Sequence, residues 1–158
     1  MNGALQVLRV EVRSDYAAFV ARVEELGSLA LGPTTDDPGV LARAAVALHH
    51  AYGTIEAALA RIAKVFQTDP SGANWHRSLL DTMAMEVPGI RPAIVSTAAL
   101  PALRELLAFR HFFRHAYAVP LDAARLTALA RHAAEVRALL QSDFERLDRW
   151  LAELAERT

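Results

Sequence analysis

The chain has 158 residues, 53% of them hydrophobic and 22% charged, a formal net charge of −1 and no cysteine. That length suits one domain with a core of its own. The missing cysteines exclude disulfides, thiolate metal sites and cysteine nucleophiles, and the near-zero charge excludes broad electrostatic adhesion to nucleic acid or lipid.

Alanine, leucine, arginine and glutamate outweigh the β-branched residues, which predicts an all-α fold. The N-terminal MNGALQVLRVEVRSD carries charge early and no stretch is long and apolar enough to span a membrane, so the expectation is a soluble, cytoplasmic protein. Prolines at 33, 38, 70, 88, 92 and 120 divide the sequence into five helical segments.

The first segment runs from about Ala4 to Leu31, with Leu5, Leu8, Val12, Tyr16, Phe19, Val23 and Leu26 at three- and four-residue spacing. The second opens with Asp36 or Asp37 as N-cap before Pro38 and ends near Gln67. Gly53 inside it costs about 1 kcal/mol relative to alanine, which a close helix crossing would justify. The third covers about Asn74 to Glu86, with Asn74 as cap, and closes at Val-Pro-Gly. The fourth begins between Thr97 and Leu100, with Pro101 in its first turn, and reaches Tyr117. The fifth is capped by Asp122 and carries Leu126, Leu129, Val136, Leu140, Phe144, Leu147, Leu151 and Leu154. Five helices with short links predict an up-and-down bundle.

The end of the fourth segment is chemically dense. FRHFFRHAY, Phe109 to Tyr117, holds two arginines, two histidines, three phenylalanines and a tyrosine. At about 100° per residue, Arg110, Arg114 and Tyr117 share one side with His111 and His115 beside them, while Phe109, Phe112, Phe113 and Ala116 take the opposite arc. The phenylalanines anchor the helix and the polar groups face outward.

Two guanidiniums and two imidazoles suit an anion, most naturally a phosphodiester. Arginine supplies permanent charge in a planar fork, and histidine exchanges a proton near neutrality. A histidine could take the proton of a ribose 2′-hydroxyl while arginine stabilises the phosphorane, with no metal or cofactor. The alternative is a solvated helix face whose basic groups pair with carboxylates such as Glu105 or Asp122. His111 and His115 have the i,i+4 spacing of a zinc pair, but no third ligand is spaced nearby and the arginines would repel a cation. His49-His50 reads as one packed and one solvated ring. His76 and His132 read as surface or boundary residues.

Arg110 to Tyr117 also follows R-x4-H-x-Y, which resembles the signature of HEPN-domain ribonucleases, specifically the HepT-like toxins. NWHRSLLDTMAMEVPGIRPAIVS, Asn74 to Ser96, looks like the segment that precedes the motif in a HepT-like subgroup. The resemblance implies a single HEPN/HepT-like helical domain over residues 1–158, dimeric through facing motif helices. It implies a metal-independent endoribonuclease toxin of a toxin-antitoxin pair, with Arg110 stabilising the phosphate and His115 transferring protons in a composite site. His111 and Arg114 would bind RNA phosphate or support the site. The implied partners are RNA, a second copy, and a small nucleotidyltransferase antitoxin that places AMP on Tyr117. The alternative within the same family is a non-catalytic subunit that binds the nucleotidyltransferase.

Overall fold

In a computed structural model, which describes residues 2–115 and 119–157, the chain forms five helices. They are α1 (Asn2–Ser28), α2 (Pro38–Val65), α3 (Trp75–Met83), α4 (Leu100–His115) and α5 (Ala123–Arg157), with a 3-10 turn at Thr97–Ala99 before α4. Among the described residues there is no strand; one isolated antiparallel bridge joins Val87 and Arg91. No helix there is long and apolar enough to cross a membrane.

Local chemistry sets most boundaries. Asp37 is the cap of α2, its carboxylate accepting the Gly39 N–H at 2.9 Å with Pro38 in the first turn. Asp122 caps α5, accepting from the Ala124 and Arg125 N–H groups at 2.9 and 3.3 Å. Both satisfy donors that a helix start leaves orphaned. Asn74 occupies the cap position of α3 but its side chain makes no capping bond. The ends of α1, α2 and α3 fall a few residues short of the periodic pattern; α2 terminates through Phe66 and a left-handed Gln67 (φ 54°) before Pro70 is reached.

A continuous core draws on all five helices. α1 buries Leu5, Leu8, Val12, Phe19, Val23 and Leu26, and α5 buries Leu126, Leu129, Val136, Leu140, Phe144, Leu147 and Leu151. Each such side chain contributes about 1.5–3 kcal/mol on burial. α2 differs, because it packs against all four other helices. Its buried arc is accordingly wide, and alanines at 44, 45, 47, 51, 58 and 63 let those neighbours approach closely. Gly53 does not serve this purpose. A Cβ there would meet nothing within 4 Å, so no helix of this chain crosses at that point.

Between α3 and α4 the chain is fastened by a buried arginine. Gly89 takes φ 75° in the turn that bridges Val87 and Arg91. Arg91, 3% exposed, then reaches back into the fold. Its guanidinium donates to Thr68 Oγ1 (3.2 Å), the Met85 and Pro92 carbonyls (2.9 and 3.1 Å) and the Thr82 carbonyl (3.1 Å). Thr68 follows the end of α2, and the Thr82 and Met85 carbonyls lie at the carboxyl end of α3, where free carbonyls concentrate negative potential. The segment so fixed delivers Ile94, Val95 and Ala99 to the core and sets where α4 begins.

Candidate functional site

The dense stretch lies at the carboxyl end of α4, over the middle of α2 and the first turn of α3. Phe109 is fully buried and Phe112 and Phe113 are half-buried, as the wheel requires of an anchor. Phe113 packs on His49 of α2 (centroids 5.1 Å apart), while Arg125 of α5 lies over Phe112 at 4.8 Å. His111, Arg114 and His115 are exposed.

Arg110 departs from the outward placement. Its Nη1 lies 3.1 Å from Oε1 of Glu56 on α2, and the side chain is only 19% exposed. Glu56, itself 7% exposed, holds Nδ1 of His76 with its other oxygen at 2.8 Å. One buried carboxylate therefore ties α2, α3 and α4 together. It also fixes His76 as the Nδ1–H tautomer, with Nε2 as the remaining nitrogen.

His115 is oriented separately. Its Nδ1 lies 2.8 Å from the His111 carbonyl oxygen, which only accepts, so Nδ1 carries the proton and the neutral ring offers Nε2 as a base. The His111 and His115 rings are 4.5 Å apart. Arg110 and His115 thus point to different surroundings, in keeping with the roughly 140° between them on the helix. Tyr117 lies outside the described residues.

Electrostatics mark the same region. Burial is the main cause that lowers the His49 pKa, with His50, Arg110 and Arg114 adding repulsion against its charged form. Burial first, then Glu56, raises the Tyr52 phenol well above its ordinary value. Arg110 Nε and His49 Nδ1 are buried without a hydrogen-bond partner among the described residues. Each such group costs about 1–3 kcal/mol, and such costs gather at sites retained for a purpose other than stability.

His49, Tyr52 and Glu56 repeat at i, i+3 and i+7 on one face of α2. Sequence reasoning passed over Glu56, although a carboxylate interrupting the Leu48–Tyr52–Ile55–Leu59–Ile62 stripe is itself a signal. It also read His76 as an ordinary boundary residue, whereas the fold gives it a buried carboxylate partner. His49 and His50 are as expected, one packed and the other exposed. His132 pairs loosely with exposed Glu135 at 3.4 Å.

A groove of about 590 Å³ lies elsewhere, between α1 and α5. Its Arg9 and Arg13 are both taken up by Asp148, at 3.0 and 2.6 Å. A smaller cavity of about 300 Å³ adjoins the motif helix, between Phe109, Phe112 and Arg125. Among the described residues, no three His, Asp or Glu side chains converge as a metal-ligand set.

A family profile described as HepT-like protein matches residues 43–151. That span holds α3, α4 and most of α2 and α5, and with them Glu56, His76, Arg110 and His115. No curated protein and no solved structure matches the chain.

Proposed function

The chain belongs to the HepT-like family of HEPN-type proteins, and from that premise we propose that it is a metal-independent endoribonuclease toxin, a single domain working as a homodimer. In this reading Arg110 and His115 from facing motif helices form the composite site. His115 Nε2 takes the proton of a ribose 2′-hydroxyl, the 2′-oxygen bonds to phosphorus and the bond to the 5′-oxygen breaks. Arg110 stabilises the charge that develops on the phosphorane, and a proton reaches the departing oxygen.

The observation that carries the reading is the disposition of His115. It is exposed, its Nδ1 is committed to the His111 carbonyl, and its Nε2 is available to a substrate. His111 and Arg114, both exposed beside it, bind or steer RNA phosphate. A small nucleotidyltransferase is the antitoxin, silencing the toxin by transferring AMP to Tyr117. The added phosphate pairs with the motif arginines and blocks the site. RNA substrate and partner place the pair in the cytoplasm.

One observation favours the second reading, a non-catalytic subunit that binds the nucleotidyltransferase: the Arg110 guanidinium is already paired with Glu56 and largely covered. The two separate in one assay. On the first reading, purified protein is expected to cleave RNA in excess EDTA, and His115→Ala to lower kcat by about 10²–10⁴-fold with unchanged thermal unfolding. Stable binding of the partner without RNA turnover selects the second reading. Cleavage undiminished in His115→Ala removes the role given to that residue.

A further inference from the structure

We propose that His76 is a second proton-transfer residue of the site, the general acid that protonates the departing 5′-oxygen. The inference rests on the ribonuclease reading above. Transphosphorylation of RNA moves two protons, one from the 2′-hydroxyl and one to the leaving oxygen. His115 accounts for the first. The imidazole that the fold ties to Arg110 is His76, through the shared Glu56 carboxylate, at 3.1 Å to the guanidinium and 2.8 Å to Nδ1.

Three features suit His76 to the task. Its anchor is nearly inaccessible, with Glu56 7% exposed, so the ring is held in one orientation. The ring itself stays open, 45% exposed at the side chain, and its Nε2 is the nitrogen not taken by Glu56. A carboxylate on Nδ1 with Nε2 toward the reaction is how an imidazole is oriented in acid–base catalysis. The charged groups joined to it are Glu56 from α2 and, through Glu56, Arg110 from α4, with Arg77 next to it on its own helix. Trp75 meets the ring edge-on at 5.0 Å and limits its rotation.

In the step, the 2′-oxygen–phosphorus bond forms as the phosphorus–5′-oxygen bond breaks. The 2′-hydroxyl proton passes to His115 and the His76 imidazolium gives its proton to the 5′-oxygen. The products are a 2′,3′-cyclic phosphate and a free 5′-hydroxyl, and water returns the two rings to their starting forms.

His76→Asn tests this, because its amide N–H can still donate to Glu56 and keep the Arg110 pair in place while proton transfer is lost. On ordinary RNA we expect kcat to fall by about 10²–10⁴-fold with KM within about threefold, and the alkaline limb of the kcat/KM profile to disappear. On an RNA whose scissile linkage carries a 5′-sulfur leaving group, which departs without a proton, the deficit shrinks to within about tenfold. His76→Ala, matched by thermal unfolding, gives the same two results if the asparagine perturbs the fold. Native-like cleavage by His76→Asn overturns the inference alone, and so does a deficit that the sulfur leaving group does not relieve. Failure of the native chain to cleave overturns the ribonuclease reading with it.

Discussion

Two largely covered arginines in this molecule do opposite things. Arg91 directs its guanidinium N–H groups to four acceptors, three of them main-chain carbonyls, and meets no carboxylate. Arg110 meets a carboxylate, yet keeps a buried Nε without a hydrogen-bond partner among the described residues. Every guanidinium nitrogen of the first has an acceptor, which makes it a structural tie; burial alone pulls its pKa below the ordinary arginine value. The second is incompletely satisfied and sits beside three histidines, His49, His76 and His111. Saturation marks a structural tie and an idle donor marks a place where the fold gives up stability.

The sharpest way to break that contrast is to replace each arginine by methionine. Arg91→Met strands acceptors at the ends of α2 and α3 and is expected to cost about 2–4 kcal/mol. For a chain of this size that lowers Tm by about 4–16 °C in a thermal scan. Arg110→Met leaves the buried Glu56 with His76 alone and is expected to cost about 1–3 kcal/mol, but to reduce RNA cleavage by about 10²–10³-fold. Equal stability losses would show that Arg110 is as structural as Arg91.

The contrast also explains what could be read without the fold. Helix number, both aspartate caps, and the Phe109 anchor follow from local rules, because caps and apolar periodicity depend on neighbours within a turn or two. The division of labour between arginines does not. Arg91 and Arg110 each follow an apolar residue and precede a residue that could belong to a turn or a helix. What each guanidinium meets depends on residues remote in sequence, Thr68 for the first and Glu56 for the second. His76 was unremarkable for the same reason, its carboxylate being twenty residues away. The α4 wheel correctly separated phenylalanines from polar groups, yet could not show that α2 turns a glutamate toward one of them.

A third arginine arrangement extends the comparison to the surface. Arg9 and Arg13 of α1 share Asp148 of α5, and the hydrogen bond from Arg9 is the leading cause that lowers this carboxyl to about 2. The folded pKa lies below the unfolded value of about 3.9, so the pair stabilises fully above that value and the contribution fades as pH falls through about 2. Partial exposure screens it, and Asp148→Asn is expected to cost about 1 kcal/mol at pH 7 in urea unfolding. The gap between variant and native chain should close between about pH 4 and 2. A gap that persists at pH 2 would assign the loss to packing of α1 on α5 instead of to charge.

The smallest effect concerns Gly53, which lies on α2 between His49 and Glu56, on the Arg110 side of the molecule. A helix-interior glycine costs about 0.5–1 kcal/mol relative to alanine, and a methyl group there meets nothing within 4 Å. Gly53→Ala is therefore expected to raise stability by about 0.5–1 kcal/mol while leaving cleavage unchanged. Arg91 illustrates a position where any gain in the unfolded state would be overwhelmed by native contacts; Gly53 is one with no such contacts to lose. Should the variant gain stability as a monomer but lose cleavage together with its concentration dependence, the close approach that the glycine permits is between two copies of α2. The idle side of Arg110 would then be an interface, and the contrast with Arg91 would be one between a contact within the chain and a contact between chains.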